Sequence, residues 1–178
     1  EDELFYVSDE AWRRGGASSG GSTMFLEARS KVSVRDLLRG VIIQSGNDAC
    51  IVLAEGIAGS EGSFAELMTE RAQELGMQQS TFANATGLPD PSHKTSARDL
   101  AILTQELINK HSNYYGLFAE RVFTWNKIRQ RNRNPLLRLG IGADGLKTGH
   151  TQEVGYGLVG SAKQGQRRVI FVLSGLDS

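Results

Sequence analysis

Two short groups of polar residues have side chains whose types could carry chemistry. Ser45, Gly46 and Asn47 interrupt the apolar stretch "VIIQSGNDAC", and Lys147 and its neighbours form "KTG" late in the chain. A hydroxyl can relay a proton, an amide can hold a carbonyl group, and an ammonium can stabilise an alkoxide or attract a carboxylate. These are the functions that a weak nucleophile such as serine needs around it.

Each group also has an ordinary structural interpretation. Ser45 or Asn47 would serve as the N-cap of a helix beginning near Asp48, with Gly46 ending the helix before it. A phosphate-binding loop at "GADGLKTG" is excluded by spacing, because that motif places Gly directly before Lys and here Leu146 intervenes. The segment also leads into a predicted strand and not into a helix.

The elements that must position these groups change type twice along the chain. Signals for strands and loops fill residues 1–30, helical periodicity fills residues 31–118, and strand-like alternation fills residues 119–178. The last part predicts a hairpin, "GYGLVGSAK" and "RRVIFVLSG" joined by "QGQ", directly after the Lys-Thr-Gly group. We therefore expect an α/β (α+β) fold in which an all-helical subdomain is inserted in a sheet.

The helical part contains apolar stripes whose starts are marked by capping boxes. In a capping box a hydroxyl and a carboxylate three residues apart satisfy the first N–H groups of a helix, as at Ser33–Asp36, Ser63–Glu66 and Ser96–Asp99. Another stripe places Cys50 and Ile57 on the buried face of one helix. Core packing is the expected role of that lone cysteine.

Composition and charge exclude several classes of protein. Twenty Lys+Arg balance 20 Asp+Glu among the 178 residues, which gives no bulk reason to expect nucleic acid or an anionic membrane as a partner. One cysteine excludes an intrachain disulfide, and the three histidines lack ligand spacing, so we expect no metal and no cofactor. No apolar run approaches the roughly 20 residues of a membrane span.

The most basic segment, "KIRQRNRN", has two interpretations. Lys127, Arg129, Arg131 and Arg133 beside Trp125 have the cations and the aromatic ring of a nucleic-acid patch. We favour the solvated face of a hairpin, because the run is short and the rest of the chain supplies no basic stripe.

Taken together, the two polar groups resemble two of the three signatures of the penicillin-binding protein and serine β-lactamase superfamily. The segments "GVIIQSGNDAC", "FTWNKIRQRNRN" and "DGLKTGHT" closely resemble, in the same order, those of the low-molecular-mass D-alanyl-D-alanine carboxypeptidases of bacterial cell-wall metabolism. The resemblance covers nearly the whole chain. It implies a β-lactamase/transpeptidase-like catalytic domain with an antiparallel sheet.

The activity implied by the resemblance is serine-type hydrolysis of the terminal D-alanine from peptidoglycan pentapeptides through an acyl-enzyme. The implied partners are stem peptides that end in D-Ala-D-Ala and β-lactam antibiotics, with no nucleic acid. The implied location is the periplasm or the outer face of the bacterial cytoplasmic membrane, with membrane association through a C-terminal segment absent from this chain.

The resemblance also implies a role for each polar residue. Ser45 would relay a proton toward the leaving amine, and Asn47 would hold the carbonyl group of the substrate. Lys147 would favour the alkoxide and attract the terminal carboxylate, to which Thr148 would add a hydroxyl. Gly149 would let the substrate lie against the backbone like an added strand.

Two further residues are assigned by the resemblance alone. The backbone N–H of His150 corresponds to one half of an oxyanion hole, while its imidazole has a structural or solvent-facing role. Arg133 corresponds to an arginine that binds the carboxylate end of the substrate, a task suited to a bidentate guanidinium.

The third signature of the superfamily, a Ser-x-x-Lys helix, is not found in these 178 residues. Too few residues precede Ser45 for the layout of the family, so we expect a chain that is incomplete at both ends, with the nucleophile outside it. Two alternatives stay open. One is a serine β-lactamase, whose middle signature is Ser-Asp-Asn in place of Ser-Gly-Asn, and the other is a non-catalytic module that binds peptidoglycan or β-lactams.

Overall fold

A computed structural model of the protein describes residues 2–177, which divide into two compact units. The first unit comprises the chain up to Leu67 together with Ala83–Gly87 and Val122–Asn132. The second comprises Met68–Phe82, Leu88–Arg121 and the chain from Arg133 onward.

Within residues 2–177 the helices precede most of the strands, and every strand pairing is antiparallel. The helices are α1 Asp9–Gly15, α2 Val34–Arg39, α3 Asn47–Ala58, α4 Glu61–Glu74, α5 Ala97–Lys110 and α6 Ser112–Tyr115. The strands are β1 Leu4–Tyr6, β2 Lys31–Ser33, β3 Val122–Trp125, β4 Ile128–Arg131, β5 Ala143–Thr151, β6 Gly155–Gln164 and β7 Arg167–Leu176. They form the sheets β1-β2, β3-β4 and β5-β6-β7, which confirms a mixed α/β fold with antiparallel sheets.

The core of the first unit surrounds α3. The fully buried residues include Met24, Leu37 and Val52, which come from a loop, from α2 and from α3. Helix α1 packs against α3 so closely that a Cβ atom on Gly15 would lie 2.3 Å from the backbone nitrogen of Asp48. Only glycine permits this approach of two backbones.

Helix α1 was missed in the sequence, where residues 1–30 were assigned to strands and loops. Its signals are nevertheless present, because Ser8 Oγ accepts the N–H of Ala11 at 2.9 Å, with acidic residues in the first turn and arginines in the last. The helix has only seven residues, DEAWRRG, and its large apolar residue Trp12 has no apolar partner one turn away, so no periodic stripe is seen.

Two of the three predicted helix starts are confirmed. The hydroxyls of Ser33 and Ser96 accept backbone N–H groups three residues later, at 3.1 and 3.2 Å. The prediction at Ser63 is wrong, since α4 begins at Glu61 and Ser60 Oγ accepts the N–H of Ser63 at 3.0 Å. The chain leaves α3 through a left-handed Gly59, so the next residue is already placed to cap α4.

The predicted buried stripe of α3 is wrong in part. Ile57 is 54% exposed and Cys50 is half-buried, whereas nearly all other residues in the first two turns are buried. This helix is surrounded on most sides at its start and exposed at its end, so a single buried face does not describe it.

The basic segment contains strand β4, whose bounds the sequence did not specify. Strand β4 pairs with β3, and Trp125 lies opposite Ile128 across a two-residue turn. Asn126 and Lys127 in the turn both have positive φ, 44° and 63°. The segment up to Arg131 is therefore one arm of a hairpin in the first unit, in agreement with the interpretation as a hairpin face.

In the second unit, α5 packs against β7 of the three-stranded sheet. The predicted terminal hairpin is confirmed, with Gln164 opposite Arg167 across a turn that contains a left-handed Gly165. No helix among the described residues combines the length and apolarity needed to cross a membrane.

Candidate functional site

Ser45 lies at the end of a π-helical turn, Gly40–Gln44, in the first unit. Its backbone is left-handed, with φ 58° and ψ 37°, and the residue is half-buried. The next residue, Gly46, donates its N–H to the carbonyl of Gly40 at 3.0 Å and then serves as the N-cap of α3 without any side-chain bond. The interpretation of Ser45 or Asn47 as the N-cap of α3 is therefore wrong, because Gly46 occupies that position.

Asn47 is the first residue of α3 and is 9% exposed. Its N–H donates to the carbonyl of Ser22 at 2.8 Å, and a Cβ atom on Gly21 would lie 2.6 Å from Asn47 Nδ2. Gly21 thus has a definite role, because its lack of a side chain lets the backbone pack directly over the amide of Asn47.

Asp48 is a structural residue of this group that sequence reasoning missed. Its fully buried carboxylate accepts hydrogen bonds from Thr23 Oγ1 at 2.7 Å and from the N–H groups of Met24, Leu26 and Ala49 at 2.9, 3.0 and 2.9 Å. The carboxylate therefore ties a loop to the start of α3. The available signal was an acidic residue in the first turn of a predicted helix.

The Lys-Thr-Gly group lies on β5, as the sequence predicted. Within the part of the chain that the structure describes, β5 pairs only with β6, so it is an edge strand of its sheet. Lys147 and Thr148 are half-buried and lie opposite Val159 and Leu158, and Lys147 Nζ donates to the carbonyl of Thr148 at 2.8 Å.

Beyond Thr148 the strand presents bare backbone. Gly149 is exposed and pairs with Gly157, and a Cβ atom built on Gly149 would meet no atom within 4 Å. An open backbone edge beside a lysine can accept an extended peptide as an added strand and can attract its carboxylate.

The other two residues assigned by resemblance lie in the second unit. His150 is exposed and its ring stacks on Tyr156 of the neighbouring strand, with 4.1 Å between ring centroids. Arg133 is exposed and precedes a short 3-10 turn, Pro135–Arg138, in which Asn134 Oδ1 accepts the N–H of Leu136 at 3.0 Å.

The structure therefore holds the predicted residues in two groups. Ser45 and Asn47 lie at the start of α3 in the first unit. The run Lys147 to His150 lies on β5 in the second unit. Among residues 2–177, no three His, Cys, Asp or Glu side chains are placed to hold a metal ion.

A helix start with Ser-Gly-Asn and an edge strand with Lys-Thr-Gly, in an α+β chain of this order, define a domain of the penicillin-binding protein and serine β-lactamase class. Comparison with known proteins gives the family. The protein-family model Peptidase S11, D-alanyl-D-alanine carboxypeptidase, matches residues 1–178, and the chain belongs to this family.

Individual relatives agree with the family assignment. The chain is 44% identical to D-alanyl-D-alanine carboxypeptidase DacD of Escherichia coli, over 99% of this chain and 46% of the relative. It is 47% identical to DacC of the same organism, over 97% of this chain and 44% of the relative. The chain thus spans somewhat less than half the length of these curated relatives.

A solved structure confirms the fold. Penicillin binding protein 5 from Haemophilus influenzae matches with a TM-score of 0.93 and 42% identity, covering 99% of this chain and 51% of that one. The resemblance to the carboxypeptidases that the sequence indicated is confirmed by these matches.

Proposed function

We propose that the protein carrying this chain is a serine-type D-alanyl-D-alanine carboxypeptidase. It removes the terminal D-alanine from peptidoglycan stem peptides through an acyl-enzyme, and β-lactams acylate the same serine. The observation that carries the proposal is the edge strand β5, with Lys147 next to the bare backbone of Gly149, in a chain of the carboxypeptidase family.

The second unit binds the substrate and its terminal carboxylate. The stem peptide lies along β5 as an added strand, and Lys147 and Thr148 bind its terminal carboxylate. The N–H of His150 donates to the oxyanion that forms on the carbonyl under attack, and Arg133 supplies a second cation for the carboxylate.

The first unit supplies one group that transfers a proton and one that holds the substrate. Ser45 relays it toward the amine of the departing D-alanine, and Asn47 fixes the carbonyl group of the substrate through its amide. The close cover of Asn47 by Gly21 and the buried Asp48 beside it support this assignment, because both limit the freedom of the amide. No Ser-x-x-Lys sequence occurs in these 178 residues, so the proposal gives none of them the role of the nucleophilic serine or of its lysine base.

The proposed substrate fixes the proposed location. Peptidoglycan stem peptides occur in the periplasm or at the outer face of the bacterial cytoplasmic membrane, so the protein acts there after export. Membrane association through a segment beyond this chain belongs to the same proposal.

The test is covalent labelling of the full-length gene product by a fluorescent penicillin, with the adduct verified by mass spectrometry. Lys147→Ala should slow acylation on the order of a hundredfold or more, the size of loss seen when a group that stabilises transition-state charge is removed. Circular dichroism should stay unchanged, since Lys147 lies on an edge strand.

The matched control is Lys163→Ala, which removes an exposed cation at the end of β6 and should label like the wild type. Equal labelling of Lys147→Ala and the wild type would contradict the role of Lys147. A wild-type protein that binds penicillin reversibly without a covalent adduct would contradict the enzyme and favour a binding module.

A further inference from the structure

Polar side chains from every strand of the three-stranded sheet meet at the first residues of β5. Arg168 on β7 donates to both carboxylate oxygens of Asp144 on β5, from Nη1 to Oδ1 at 2.9 Å and from Nη2 to Oδ2 at 2.7 Å. Arg168 Nη1 also donates to Ser161 Oγ on β6. Tyr115, the last residue of α6, donates its hydroxyl to Asp144 Oδ1 at 3.2 Å.

This cluster lies where the β5-β6 ladder is irregular. Ala143 pairs with Ala162 and Gly145 pairs with Ser161, so Asp144 is the extra residue between two regular pairs. A bulge of this kind bends a strand and changes the direction of the side chains that follow. Backbone pairing does not hold Asp144, and its carboxylate is instead held by the side chains of Arg168 and Tyr115.

The contacts favour one fixed geometry. The guanidinium of Arg168 lies 5.5 Å from the ring centroid of Tyr115, and the side chains of Asp144 and Arg168 are only 29% and 23% exposed. A Cβ atom on Gly145 would lie 2.7 Å from Tyr115 Oη, so the strand itself approaches the ring closely.

The protonation of the cluster follows from its contacts and burial. The hydrogen bond to Asp144 is the main reason why the pKa of Arg168 is raised, and burial is the main reason why the pKa of Tyr115 is raised. Arg168 therefore stays charged and Tyr115 stays protonated at neutral pH.

We propose that Asp144, Arg168 and Tyr115 are positioning residues that set the direction of Lys147 by fixing the bulge three residues before it. The reason is the register of β5 on β6, because the residues after the bulge pair one by one, from Gly145 with Ser161 to Lys147 with Val159. A slip by one residue at the bulge turns Lys147 to the opposite face. The proposal rests on the proposed function for its effect on acylation, but its effect on the strand does not depend on that function.

The experiment uses Arg168→Lys and Tyr115→Phe in the full-length gene product. Lysine keeps the charge of arginine but loses the bidentate fork, and phenylalanine removes one hydroxyl from Asp144. We expect faster hydrogen exchange in β5 around Lys147 in both variants, with the larger change in Arg168→Lys. The first-order rate constant of penicillin acylation at saturation should fall about tenfold or more in Arg168→Lys, since a small displacement of a reacting group is costly.

Two controls separate positioning from stability. Arg167→Lys changes the exposed neighbour on β7 and should leave both measurements within twofold of the wild type. Ser80→Ala removes a buried hydroxyl that donates to Asp99 at 2.8 Å elsewhere in the second unit, so it should lower Tm without changing acylation.

The outcomes are distinguishable. Unchanged exchange in β5 of Arg168→Lys overturns the proposal, and so does faster exchange with unchanged acylation. Equal loss of acylation in Ser80→Ala and Arg168→Lys at equal loss of Tm also overturns it, because stability alone then explains the effect. A wild-type protein that is not acylated overturns the proposed function, while the exchange data still test whether the cluster holds β5.

Discussion

At the scale of single residues, Asp48 links the loop over Asn47 to the start of α3. Replacing it by alanine leaves several buried donors without an acceptor, and each such group costs about 1–3 kcal/mol. We expect Asp48→Ala to lower the free energy of unfolding by about 3 kcal/mol or more, measured by urea denaturation. Penicillin acylation should fall as well, because the loop over Asn47 loses its anchor.

The control for this prediction is Asp36→Ala, which removes a partly exposed carboxylate from the capping box of α2. It should cost only about 0.5–1 kcal/mol, as losses at helix ends usually do. Equal destabilisation by the two variants would show that the buried hydrogen bonds of Asp48 have no special weight.

A substitution at Gly149 is expected to slow acylation without lowering the Tm. A methyl group there meets no atom within 4 Å, so Gly149→Ala should keep the Tm of the wild type while it obstructs a peptide along β5 and slows acylation. Gly160→Ala is the contrasting variant, because its Cβ atom would lie 2.3 Å from the ring of Phe171 and should destabilise the sheet. Normal acylation by Gly149→Ala would contradict substrate binding along this edge.

At the scale of elements, the sequence predicted what long patterns and caps can specify. Helices α2 and α5 were found because apolar stripes follow Ser33 and Ser96, and the hairpin of β6 and β7 because two long strands flank a glycine turn. Helix α1 was missed because its seven residues carry no apolar stripe, whereas the stripe of α2 continues into the π-helical turn after it. The bounds of β4 were not specified because four residues are too few for a period to be seen. In β4 the alternation was also hidden by arginines.

The hairpin of β3 and β4 allows a test of its turn. Lys127 has φ 63° at a position where two-residue turns favour glycine, and a left-handed conformation costs a side-chain-bearing residue about 1–2 kcal/mol. Because glycine also loses more chain entropy on folding, we expect Lys127→Gly to raise the free energy of unfolding by about 0.5–1 kcal/mol. Arg129→Gly, inside β4, should lower it by a similar amount, and the same sign for both variants would contradict this account of the turn.

At the scale of the whole molecule, the motifs supplied the groups that we propose to be functional but not how the fold holds them. Ser45 and Lys147 were named from residue types and order alone. The left-handed backbone of Ser45 and the bulge at Asp144 could not be predicted, because they depend on a π-helical turn and on the register of two strands. Side-chain contacts between distant strands, such as that of Arg168 with Asp144, leave no local signal in a single sequence.

The fate of the acyl-enzyme distinguishes the carboxypeptidase from a β-lactamase at this scale. Rapid hydrolysis of a penicilloyl serine needs a base that activates water, and a carboxylate before the last strands does this in class A β-lactamases. Here the chain belongs to the carboxypeptidase family, and the middle signature lacks the aspartate of Ser-Asp-Asn. We therefore expect the penicilloyl adduct of the full-length gene product to persist for many minutes, followed by mass spectrometry after excess drug is removed. A class A β-lactamase in the same assay should lose its adduct within the mixing time, and equally rapid loss here would contradict the carboxypeptidase.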